Sequence, residues 1–210
     1  MSLLTTPTLQ ALYRKAAQNT GLEHETITFW DHLLSKVYFS AEYFVISHQK
    51  PPSDAASDRL RRVDFSIGRI DFSTDELSVI AFVEGKRTKA GENDYQAVEA
   101  QCFDACEAHL LHRVNCKRVY GICVVGTEAQ ILLCWRDEQM QIRFASMTHG
   151  NYYDADGPDA TILHELFTEM EQSAQPRILQ STSVQPSTTP SAAPTTSTTS
   201  TTTSYQASDD

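Results

Sequence analysis

Residues 79–87 constrain this chain more than any other stretch. Val79-Ile80-Ala81-Phe82-Val83 runs directly into Glu84-Gly85-Lys86-Arg87. A short apolar run rich in β-branched and aromatic residues predicts a strand buried on both faces. Strand side chains alternate, so Glu84 and Lys86 point the same way at the end of that strand. Charge in such a place is costly unless it is paired or binds something. Upstream, residues 61–68 alternate apolar Val63, Phe65 and Ile67 with Asp64, Ser66 and Gly68. This predicts a half-buried strand with Asp64 on the face away from the core. Asp71-Phe72-Ser73-Thr74-Asp75-Glu76 supplies turn residues between the two strands. A hairpin would set Asp64 beside Glu84 and Lys86. Two carboxylates and a lysine converging there could hold a divalent metal and the water it activates.

Apolar periodicity organises the remainder. Helices are expected at residues 8–18 and 23–39, the second with Ile27, Trp30, Leu34 and Val37 at helical spacing. A strand at 42–47 precedes a loop around Pro51-Pro52. After the Glu84 strand come a polar loop at 88–93 and a helix at 94–111. Val98, Cys102, Ala105 and Cys106 share one face of that helix. Strands are expected at 119–125, 129–135 and 139–147, then a loop at 151–159 and a closing helix at 161–172. A helix crossing from the Glu84 strand to the Val119 strand makes that pair parallel. The fold class is therefore α/β, a mixed central sheet flanked by helices. The domain spans residues 1–178. From there to residue 210 the composition collapses to Ser, Thr, Pro and Ala, which can form no core, and a disordered tail is expected.

The formal net charge is −10, which argues against a protein that coats nucleic acid nonspecifically. The charge is uneven, however: basic residues balance acidic ones between residues 59 and 118, where the candidate site lies. The five cysteines (Cys102, Cys106, Cys116, Cys123 and Cys134) are odd in number and contain no Cys-x-x-Cys pair. Reduced, buried thiols in an intracellular protein, nuclear or cytoplasmic, are expected. No signal peptide and no membrane-spanning run is expected either.

Asp64, then Glu84-Gly85-Lys86 on the following strand, then a helix carrying Gln96 and Gln101, resembles the PD-(D/E)XK nuclease superfamily. The closest likeness is to the nuclease-like domains common in fungal genomes. The resemblance covers roughly residues 20 to 145 and departs from the pattern at Val63, where the family often has proline. It implies a restriction-endonuclease-like core and a metal-dependent nuclease acting on nucleic acid, with DNA favoured. Asp64 and Glu84 would bind Mg²⁺ or Mn²⁺, with the backbone carbonyl of Gly85 as a further ligand. Lys86 would position or help deprotonate the attacking water. Gln101, within the apolar part of its helix, or else Gln96, would orient the lysine or the water. Arg61, Arg62, Arg87 and Lys89 are candidates for phosphate contacts. First core helices of the family sometimes carry an extra catalytic glutamate. Glu23 and Glu25 stand in place for it, although an acidic first turn that complements the helix dipole is the simpler explanation.

Three rivals are weaker. Cys102, Cys106, His109, His112 and Cys116 suggest zinc, but one helix alone rarely surrounds a metal. An apolar helix face with exposed histidines explains them better. A Cys-His nucleophile lacks an activating base in the pattern, and no glycine loop matches a nucleotide motif. The alternative of another class is a catalytically inactive nuclease-like fold serving as a protein or nucleic-acid interaction module.

Overall fold

A computed structural model describes residues 1–18, 22–49, 51–52, 62–88 and 91–172. The expected tail, together with Arg61 and Lys89, lies outside the described residues. Helix α1 (Pro7–Ala16) starts with Thr6 capping the Leu9 N–H and with proline in its first turn. Helix α2 (Glu23–Leu33) continues into a π-helical turn (Leu34–Tyr38). Strands β1 (Phe44–His48), β2 (Phe65–Asp71) and β3 (Glu76–Lys86) form an antiparallel meander. Helix α3 (Glu92–His112) crosses to β4 (Arg118–Val125), which runs parallel to β3 as expected. Strands β5 (Glu128–Arg136) and β6 (Ile142–Ser146) follow antiparallel, β7 (Tyr153–Asp154) pairs with β5, and α4 (Ala160–Gln172) closes the domain. The sheet order is β1-β2-β3-β4-β5-β6. No helix among the described residues is long and apolar enough to cross a membrane.

Both faces of the sheet are covered. Phe29, Trp30 and Leu33 of α2, Leu9 of α1 and Phe167 of α4 pack with Phe65, Ile67, Val83 and Ile122 in one core. On the other face α3 packs Cys106, Ala105 and Leu110 against Phe82, Val119 and Cys134, and Cys102 and Val98 against Cys123 and Leu132. The second face corrects two expectations. Strand β2 is not half-buried: Ser66 and Gly68 are covered as fully as Phe65 and Ile67. Nor are the helix histidines all exposed, because His109 is buried, edge-on to the Phe82 ring at 5.4 Å. Further differences are at element ends. Asp64 lies in a bend just before β2 rather than within it, β1 begins at Phe44, and the expected 151–159 loop contains the short β7.

Gly121 of β4 sets how close α3 can lie. A Cβ there would sit 2.7 Å from the Cys102 sulfur. Gly121→Ala should therefore destabilise the protein by about 1–3 kcal/mol through overpacking. Adding Cys102→Ala, which removes the sulfur, should recover part of that loss in urea melts. If the two effects simply add, this close approach is not what fixes the helix.

Candidate active site

The antiparallel register pairs Phe65 with Val83, which brings Asp64, one residue earlier, beside Glu84. A hydrogen bond locks the arrangement: the Gly85 N–H donates to Asp64 Oδ2 at 2.8 Å. Strand β2 begins only at Phe65, opposite Val83, so β3 runs on past its neighbour for its last residues. In an extended strand a residue's N–H and C=O point to the same side. The Lys86 carbonyl faces β4, where it accepts from the Gly126 N–H at 3.0 Å. The Gly85 carbonyl therefore faces the side of Asp64, where the β2 ladder has already ended.

Asp64, Glu84 and Lys86 line one cleft of about 370 Å³, together with Glu23, Arg62 and Gln101. The sequence-predicted set is thus largely brought together. Gln101 lines the cleft while Gln96, exposed on α3, does not. Arg62 is exposed at the rim. Arg87 is exposed beyond the end of β3, outside the lining. Glu84 is 7% exposed, and Asp64 is half-buried.

Glu23 is the residue for which dipole complementation was the simpler explanation. Its Oε2 lies 3.6 Å from the Lys86 ammonium. The cause is local packing. A Cβ on Gly85 would run into the end of Ile27, so glycine lets α2 descend onto β3. Glu23 sits four residues before Ile27 on the same helix face and reaches Lys86. Its partner candidate Glu25 instead accepts the Leu22 N–H at 3.3 Å as an N-terminal cap. The glutamate-to-isoleucine spacing was visible in the sequence, but its meaning depends on where α2 crosses the sheet.

The cleft gathers the acids Glu23, Asp64 and Glu84 with the bases Lys86 and Arg62. Burial first, and then the charge of Asp64, push the Glu84 carboxyl up to about 8. Burial also raises Asp64, opposed by the Gly85 N–H, while Glu23 raises it and Lys86 lowers it. Behind Glu84 lies a wall of thiols. Cys102 donates to the Phe82 carbonyl at 3.8 Å and Cys123 to the Val98 carbonyl at 4.0 Å, both fully buried.

The site's chemistry can be tested against the implied metal. Magnesium and manganese prefer oxygen ligands, and magnesium in particular keeps several waters while binding through one or two carboxylates. Asp64 and Glu84 are such a pair, and the Gly85 carbonyl is an oxygen that, among the described residues, has no β2 register partner. The donors therefore fit. Among the described residues no three His, Cys, Asp or Glu side chains form a ready metal-holding group. The α3 cysteines and histidines, the zinc rival, are not brought together as one either.

No family model, no curated protein and no solved structure matches this chain.

The raised Glu84 carboxyl has a pH signature. In the unfolded chain this group titrates near the usual value of 4.5. Between there and about 8 the folded protein holds a proton that the unfolded chain has lost. Metal-free stability should fall as pH rises through this window, by at most about 1.4 kcal/mol per pH unit from this group. Glu84→Gln should flatten the slope and be more stable than the wild type at pH 8. Equal slopes in denaturant melts of the two proteins would refute the buried-acid account.

Proposed function

We propose that this protein is a metal-dependent phosphodiesterase acting on nucleic acid, with DNA as the favoured substrate, built on a restriction-endonuclease-like core. The observation that carries the reading is the convergence of Asp64, Glu84 and Lys86 in one cleft at the end of a doubly covered strand. Burial and the neighbouring Asp64 hold the Glu84 carboxyl at about 8, so near neutral pH it keeps a proton that a divalent cation would displace.

Asp64, Glu84 and the Gly85 carbonyl would hold Mg²⁺ or Mn²⁺. When bound, the metal supplies positive charge to the scissile phosphate and lowers the pKa of water. The Lys86 ammonium, at the mouth of the cleft, orients the attacking water and carries charge toward the developing phosphorane. Glu23 holds that ammonium in place across the cleft. The Gln101 amide can donate to the water or to the lysine's surroundings from the α3 side. Arg62 at the rim, with Arg61, Arg87 and Lys89 as further candidates, contacts phosphates on either side.

The interaction module remains the second reading, and the Glu23–Lys86 ion pair is the observation in its favour. A lysine already satisfied by a neighbouring acid also suits a purely structural cleft. A cleavage assay on mixed single- and double-stranded DNA and RNA separates the two. The expected result is cleavage with Mg²⁺ or Mn²⁺, none with chelator, and a loss of at least about 100-fold in Lys86→Ala and Glu84→Gln. Absence of metal-dependent cleavage of every substrate by the wild type would leave the module.

A further inference from the structure

A second cavity, about 530 Å³, has no part in the cleft described above. It lies at the other end of β3, roughly 20 Å from Glu84 by strand rise, between the β2–β3 turn and the start of β4. Its walls carry Arg69, Arg118, Tyr43, Phe72, Ser73 and Ser78.

Both arginines occupy core-face positions. Arg69 continues the inward parity of Phe65 and Ile67, and Arg118 that of Tyr120 and Ile122. On β3 a bulge makes Ile80 an extra residue, because Ile67 pairs with Ala81 while Gly68 pairs with Val79. The bulge turns Ser78, the register partner of Arg69, to the same face. Guanidinium groups on a core face need an anion or another partner. The Arg69 guanidinium stands over the Tyr43 ring at 5.0 Å. Among the described residues no carboxylate forms an ion pair with either arginine. The one acid in the wall, Asp71, accepts both the N–H (2.8 Å) and the hydroxyl (2.6 Å) of Ser73 at a single oxygen. These bonds, with the nearby Arg69 charge, hold its carboxyl below the ordinary value, so it stays charged against the two arginines of the wall. Phe72, 63% exposed, stands at the rim.

Two planar guanidiniums on separate strands of one cavity, with the Ser78 hydroxyl also in its wall, match the oxygens of a dianionic phosphate better than a single carboxylate. The exposed Phe72 ring at the rim offers a stacking surface, and the volume suits a small organic molecule. We propose that this cavity is a second binding site, for a phosphate monoester carried on an aromatic body, of which a nucleoside monophosphate is the everyday case. The site stands independently of the cleft chemistry. Its likeness to a regulatory subsite lies only in its distance from the cleft.

Calorimetric titration of the full chain with adenosine 5′-monophosphate, adenosine and inorganic phosphate tests it. The monophosphate should bind, and adenosine and phosphate alone should each bind at least about tenfold more weakly. Arg69→Gln with Arg118→Gln should abolish binding, whereas Asp64→Asn in the cleft should leave it unchanged. Asp71→Asn keeps an acceptor for the Ser73 N–H and removes the opposing charge, so it should tighten binding several-fold, even if the double arginine variant fails to fold. The proposal is overturned if the monophosphate does not bind at about 10 mM. It is also overturned if binding survives the arginine changes in a folded variant, if phosphate binds as tightly as the nucleotide, or if Asp71→Asn weakens binding.

Discussion

The hydrogen bond from the Gly85 N–H to Asp64 fixes the candidate site, because it ties the start of β2 to the end of β3 where regular pairing stops. The Asp64 backbone, in a bend outside the strand, is held by the Gln49 N–H on its carbonyl at 3.1 Å. The Gly85 bond ties its carboxylate to β3 by one oxygen. Gly85 contributes twice. Its amide anchors Asp64, and its missing side chain admits Ile27, which sets α2 against the sheet and brings Glu23 to Lys86. One residue thus positions an acid on each side of the lysine.

Burial then determines the electrostatics. Helix α3 lies close enough over β3 and β4 that Glu84 is nearly excluded from water, and Gly121 is what allows that approach. A carboxyl so placed beside a second acid titrates far above its usual range, for reasons of solvation before charge. The thiols behind it add no compensating cation. The cleft is consequently primed for positive charge, and the ion pair of Lys86 with Glu23 shares the one ammonium between opposing acids.

Much of this was legible in the sequence, because the strongest signals were local and periodic. The apolar run into Glu84-Gly85-Lys86 could hardly be other than a buried strand, and a helix between two strands implied the parallel β3–β4 pair. Alternation before Gly68 gave Asp64 a neighbour in Glu84. It misjudged the cover on that face, since an alternating pattern cannot reveal that Ser66 and Gly68 are buried, Gly68 against the Leu77 side chain of the neighbouring strand. Glu23 was legible only as a helix-start acid, because its partner depends on a crossing angle set by Gly85. The arginine cavity was invisible for a similar reason: the bulge at Ile80 changes strand parity, and Arg69 and Arg118 line one cavity from strands on either side of β3. The α3 cysteines and histidines offered only a weak zinc reading, and among the described residues they form no metal-holding group.

The central claim is that Asp64 and Glu84 form a site for a divalent cation. Thermal melts of the wild type and Asp64→Asn near neutral pH, with millimolar Mg²⁺ or Mn²⁺ and with chelator, test it most directly. Asparagine keeps an oxygen for the Gly85 N–H and removes one negative charge. At metal concentrations far above the dissociation constant, the wild type should melt on the order of 5–10 °C higher than with chelator. Asp64→Asn should show no such shift and, without metal, should melt no lower than the wild type. A wild type that metal leaves unmoved, beside an Asp64→Asn variant that melts markedly lower in every condition, would contradict the account and make Asp64 a structural residue.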